Sequence, residues 1–377
     1  MTSPSPLARA SDGAQSWPSF HVVRALGVAG MIFAHGFYYA ATMNGRVILP
    51  PGSWLGPVVR GGMVLGLLPL ILPFLAGCTL GLRPPASRSS PLVPLLLESS
   101  LLFVGGYLFN TVVTGQFPVW AWNVLQTVAV SFLVIGLLDR LLGPAAVAVA
   151  SLLLLAASDP IRLSIGNSLR GPVLRVLLGD PGDYHTWPLV PWFASIALGF
   201  CLGRLRSAFD SPGAFAAVAA VAGALAMALA WRFDRLIPPF DPRNIIGPAV
   251  MQPPALRVLG VCGVGSFLLG LLHAPAARWP LHRYGLARAL SAGVLWIYIF
   301  HLWLCARLGG ILAPQLGDAL VRRDNAKLVF LAIGFPALLI LLSWPVGSLA
   351  IRGLGEKRIR VRLRRIRPGM DPCARVG

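Results

Sequence analysis

Pro212-Gly-Ala-Phe-Ala-Ala-Val-Ala-Ala-Val-Ala-Gly-Ala-Leu-Ala-Met-Ala-Leu-Ala-Trp231 contains no charged side chain. Wound as a helix rising about 1.5 Å per residue, such a stretch spans the roughly 30 Å hydrocarbon core of a bilayer. Runs of the same kind recur on both sides of it. They predict ten helices, near 22–43, 62–82, 92–113, 122–142, 144–158, 187–207, 212–233, 256–273, 289–312 and 328–350. The run from Pro144 to Ser158 is short for a full span and reads as a thin, tilted or re-entrant segment. No soluble domain fits between the runs. The expected fold is therefore all-α: a polytopic membrane protein of about ten transmembrane helices around an intramembrane cavity.

Composition agrees with that reading. Of 377 residues, 56% are hydrophobic and only 12% charged, far from a soluble average. The formal charge of +19 would suggest nucleic acid in a soluble chain. Here the positives fall in short loops and in the tail Arg352-Gly-Leu-Gly-Glu-Lys-Arg-Ile-Arg-Val-Arg-Leu-Arg-Arg-Ile-Arg367, the pattern of cytoplasmic loops and anionic-lipid contact, so no nucleic-acid partner is expected. With the amino terminus inside, Arg83, Arg88, Arg140, Arg204, Arg206, Arg278, Arg283, Arg288 and the tail all fall on the cytoplasmic side. The longer connections 159–186, 234–255 and 313–327 then face outward. This divides the chain into a cytoplasmic segment 1–21, a transmembrane domain 22–350 and a basic cytoplasmic tail 351–377. The first residues lack the apolar core and cleavage site of a removable signal peptide. Ala, Gly, Pro and Arg richness with two lysines suits a bacterial chain, and helical spans place it in the inner membrane.

Cys78, Cys201, Cys262, Cys305 and Cys373 show neither a disulfide framework nor zinc spacing, and no paired-histidine metal motif or phosphate-binding glycine loop is present. No metal and no bound cofactor is expected. Pro69 and Pro73 interrupt the second run, a kind of break tolerated beside a cavity.

Ionisable groups inside lipid are costly, which makes His35 and His301 the most informative residues. Each lies about 12 or 13 residues from the cytoplasmic end of its run, at a depth of roughly 18–20 Å. Arg24 opens the first helix, and ten residues separate it from His35. Eleven steps of 100° return the two to within about 20° of one face. One stripe thus carries a guanidinium near the cytoplasm and an imidazole deep in the membrane. A neutral histidine there can take the proton of a hydroxyl or amine attacking a thioester, and an arginine fork can hold the phosphates of a carrier. The plainer reading makes Arg24 an interfacial anchor and His35 an inter-helix hydrogen-bonding residue.

The Arg24 to His35 spacing resembles the arginine, ten residues, histidine signature of the membrane family called acyltransferase 3. Phe20 to Gly36 also resembles the opening helix of the heparan-alpha-glucosaminide N-acetyltransferase catalytic-domain group. Trp187-Pro-Leu-Val-Pro-Trp-Phe-Ala-Ser-Ile-Ala-Leu-Gly-Phe-Cys-Leu-Gly-Arg204 is similar to that group's later Pro-Trp helix, with looser counterparts at Leu68–Gly77 and Trp122–Gln126. Where those families place an acidic residue three before the arginine and a glycine after it, this chain has His21 and Ala25. The resemblance implies acyl-CoA as donor substrate, a sugar-like hydroxyl or amino group as acceptor, His35 as general base and Arg24 holding the donor.

Around these lie further candidates. His301, in Trp296-Ile-Tyr-Ile-Phe-His-Leu-Trp303, sits at the depth of His35 and either orients the acceptor or packs among aromatics. Asn123 and Gln126, three apart on one face, either bind a sugar or bond across helices, as does Asn110. Tyr38 follows His35 by three, and Trp192 lies in the Pro-Trp helix. Asp159, Arg162, Asp180, Asp183 and His185 sit on the outer connection, and His21, His273 and His282 at cytoplasmic ends. Gly199 and Gly203 form a helix-contact motif. Two other functions share this pattern: a transporter or flippase for a lipid or glycan, where the missing midplane carboxylates count against proton-driven transport but not against a passive flippase, and a noncatalytic membrane scaffold.

Overall fold

The computed structural model describes residues 17–42, 68–83, 92–114, 121–165, 172–179, 187–233, 252–279, 285–322 and 333–366. Among them every regular element is helical. We label these α1 (Pro18–Thr42), α2 (Leu68–Gly81), α3 (Val93–Leu108, continued by a π turn over Phe109–Thr114), α4 (Val124–Leu142) and α5 (Pro144–Ile165). There follow α6 (Pro172–Leu178), α7 (Leu189–Ala208), α8 (Pro212–Arg232), α9 (Ala255–Leu271) and α10 (His273–Arg278). The last three are α11 (Gly285–Ala292), α12 (Val294–Arg322) and α13 (Phe335–Ile366).

Each expected run overlaps a helix. Five of the helices are long and apolar enough to cross a membrane: Val93–Thr111, α4, α5, α7 and α8; the bent pair α11 and α12 brings the number to six. Their outward faces carry exposed leucine, valine and tryptophan, including Leu97, Leu101, Val104, Leu153, Leu225 and Trp296. A water-facing surface would not carry so many large apolar side chains, and lipid stabilises them.

Several boundaries differ from the sequence reading. The short run beginning at Pro144 continues through Pro160 to Ile165 and makes a full-length helix. Asp159 and Arg162 are thus not on a loop. The Asp159 carboxylate accepts from the Ala255 amide at 3.1 and 3.2 Å, and Arg162 donates to the carbonyls of Gln252 at 3.1 Å and Pro253 at 3.0 Å. A carboxylate against the first amide of α9 satisfies one orphan donor and meets the positive end of the helix dipole. Asp180, Asp183, His185 and His282 lie outside the described residues. Pro69 lies in the tight turn Leu68–Leu70 that opens α2 and Pro73 in the α-helical turn that follows it, near the helix start where proline is best tolerated; the earlier part of that expected run, 62–67, lies outside the described residues. The run 289–312 is not one helix, because α11 and α12 meet at Gly293 with a 91° bend. Gly293 lies so close to Gly347 of α13 that a Cβ there would stand 2.6 Å from the Gly347 Cα. Nor does the last helix stop at 350; α13 runs into the basic tail as far as Ile366.

Two glycine crossings bind the first half of the bundle. Gly77 and Gly81 of α2 lie against the carbonyls of Ile196 and Phe200, while Gly199 and Gly203 of α7 lie against those of Phe74 and Cys78. Four glycines at matching four-residue spacing let the two backbones touch, gaining packing that any side chain would prevent. Gly223 and Gly270 make a second such contact between α8 and α9.

The basic ends gather at one end of the bundle. Arg204 pairs with Asp139 at 2.6 Å and donates to the Arg83 carbonyl, and Arg83 pairs with Glu98 through two bonds of 2.6 and 2.7 Å. The opposite end holds the Asp159 and Arg162 contacts and the Trp187 amide bonded to the Trp122 carbonyl at 3.1 Å. Cys78, Cys201, Cys262 and Cys305 are unpaired.

Candidate functional site

Helix α1 lies between the two halves. Gly27 packs on Leu72 of α2, Gly36 on Pro336 and Leu339 of α13, and the face between them turns to α11 and α12. That face carries His21, Arg24 and His35, each of which meets a residue from the far end of the chain.

At the basic end the Arg24 Nε donates to the Ser291 hydroxyl of α11 at 2.9 Å, and His21 Nδ1 lies 3.2 Å from the same oxygen. The Arg24 guanidinium also stands over the Phe20 ring, 5.0 Å from its centroid. The Ser291 hydroxyl thus bridges Arg24 to His21. Using Nε for Ser291 leaves the outer fork of the guanidinium as the part suited to a bidentate anion. Sequence reading passed over Ser291, since a serine on a short helix carries no signal of its own.

Eleven residues on, about 16 Å along the axis, His35 Nδ1 lies 3.1 Å from Nε2 of His301 on α12. The ring centroids are 5.2 Å apart at 40°. His301 Nδ1 lies 2.8 Å from the carbonyl of Ile297, one turn earlier on α12. His301 is fully buried and Tyr298 stands beside its ring, whereas His35 keeps part of its surface exposed. The two histidines, 266 positions apart in sequence, form one pair.

The other candidates lie elsewhere. Asn123 is the N-cap of α4: its Oδ1 accepts from the Leu125 amide at 2.8 Å, and Gln126 Oε1 accepts from the Asn123 amide at 3.0 Å, a capping box. Asn123 Nδ2 donates to the Gly106 carbonyl and to Asn110 Oδ1, and Asn110 donates to the Ala121 carbonyl at 2.6 Å. Asn123 and Gln126 are therefore buried in a network that ties α4 to α3. Trp192 is wholly buried in the core, with its ring 4.8 Å from that of Trp187. Tyr38 is on α1, and its side chain lies outside the described residues. Near the basic end, burial and the Arg206 charge push the His273 imidazole below its ordinary value. Among the described residues no group of three or more His, Cys, Asp or Glu side chains is arranged to hold a metal.

No family model matches the chain, and neither does any curated protein or solved structure.

Proposed function

We propose that the chain is an integral membrane acyltransferase that moves an acetyl or other short acyl group from acyl-CoA to a sugar hydroxyl or amino group. One observation carries this reading: Arg24 and His35 share a face of α1 and meet the single broken element formed by α11 and α12, through Ser291 and His301. The spacing suits a long thioester. A donor entering from the basic end would leave its phosphates at the Arg24 fork and extend its arm toward His35.

In this reading the acceptor oxygen or nitrogen attacks the thioester carbonyl while His35 takes its proton. The new C–O or C–N bond forms, the C–S bond breaks, and the thiolate leaves with the proton returned by His35. The ten helical runs then enclose an intramembrane cavity in a bacterial inner membrane, with the basic end and both termini cytoplasmic.

The test is release of coenzyme A by full-length protein in nanodiscs with glycan acceptors. Wild type turns over; His35→Ala loses about 10²–10⁴-fold in kcat, the usual contribution of a general base; Arg24→Ala raises KM for the donor. A wild-type protein that neither binds nor consumes acyl-CoA sinks the reading and makes transport the next assay.

A further inference from the structure

The hydrogen-bond chain Ile297 to His301 to His35 has a direction. A carbonyl oxygen only accepts, so the His301 Nδ1 facing the Ile297 carbonyl at 2.8 Å must carry a proton. His301 is fully buried, and a buried imidazolium that meets no carboxylate among the described residues costs far more than a neutral ring. Its Nε2 is then a lone pair. The only partner that can meet a lone pair at 3.1 Å is a donor, so His35 Nδ1 is protonated as well. In the neutral ring this leaves Nε2 of His35 as the basic atom.

We infer that His301 is a positioning residue, which takes its polarity from the Ile297 carbonyl and holds His35 as the Nδ1–H tautomer with Nε2 free to accept a proton. This rests on the base role proposed for His35. It also gives His301 a task that needs no contact with substrate: it fixes which ring atom reacts and in which plane the ring lies. When His35 is protonated at Nε2 in the reaction, its Nδ1–H already points at an acceptor, so the positive charge is shared along a bond that exists beforehand. The Met31 carbonyl, one turn before His35, also favours a ring N–H on that side, and a variant at 301 separates its contribution from that of His301.

The experiment is ¹⁵N NMR of histidine-labelled full-length protein in nanodiscs at neutral pH, with His35→Ala and His301→Leu difference spectra assigning the two rings. Both rings should carry the proton on Nδ1 in wild type. In His301→Leu the His35 proton should move toward Nε2, and kcat should fall about 10- to 100-fold, the loss typical of removing an orienting partner and smaller than that of removing the base itself, at nearly unchanged KM. His301→Gln, whose carbonyl oxygen accepts at similar reach, should keep the Nδ1–H form and most of the turnover. An Nε2–H form of His35 in wild type overturns the inference, as does a His301→Leu protein with the same tautomer and rate as wild type. The spectra do not depend on turnover. Nδ1–H on both rings in a protein inert toward acyl-CoA would refute the acyltransferase reading and leave the tautomer lock standing.

Discussion

Replacing Gly199 by alanine tests whether the α2–α7 crossing holds the first half of the bundle together. A Cβ at 199 would overlap the Phe74 carbonyl oxygen and sit 2.8 Å from its carbon and 3.1 Å from the Cys78 amide nitrogen. Ordinary carbon contacts are about 3.5–4.0 Å, so the helices must part by roughly 1 Å. A gap of that size forfeits about a quarter to a half of each flanking dispersion contact, and overpacking of this kind costs about 1–3 kcal/mol. Alanine returns about 0.5–1 kcal/mol of helix propensity. The net loss is about 1 kcal/mol at the centre of these ranges and at most about 2.5 kcal/mol. Gly105 on α3 is the control, since a Cβ there meets nothing within 4 Å and only the propensity gain remains. Reversible unfolding in mixed micelles should place Gly199→Ala below wild type and Gly105→Ala level with or above it. If Gly199→Ala proves as stable as Gly105→Ala, the two backbones are not in contact and the crossing is wrongly described.

Two further outcomes follow from the same geometry. Arg204→Leu strands the Asp139 carboxylate, whose side chain is only 9% exposed, and should cost about 2–4 kcal/mol. In the same unfolding assay Asp139→Asn in the Arg204→Leu background should recover part of that, while breaking the exposed Arg83–Glu98 pair should cost under about 1 kcal/mol. Asn123→Ala removes a helix cap and the bonds to Gly106 and Asn110, so stability should fall by about 1–2 kcal/mol or more with KM for the acceptor unmoved; a shifted KM in a stable variant would restore a substrate role.

The helices were legible because a bilayer demands long apolar segments and the chain supplies them in series. Their ends were harder. Asp159-Pro160 reads as a helix stop, yet α5 passes through it because the Asp159 and Arg162 side chains find partners at residues 252–255. Nothing local announces such partners. Gly199 and Gly203 stood out by spacing, but their counterparts Gly77 and Gly81 have the same spacing and went unread beside two prolines. Periodicity placed Arg24 and His35 on one face, and depth alone put His301 level with His35. What spacing could not supply was the third residue in each contact: Ser291 has no signature, and the Ile297 carbonyl is not a side chain at all.

The pairing of α1 with α11 and α12 also sets an order of events during synthesis. At about 5–20 residues per second, the 266 residues between His35 and His301 take about 15–50 s to make. For that interval Arg24 and His35 lack their final partners. The small residues of α1, Gly27, Ala29, Gly30, Ala34 and Gly36, suit a segment that waits among half-made neighbours and is sealed into place only when the last third of the chain arrives.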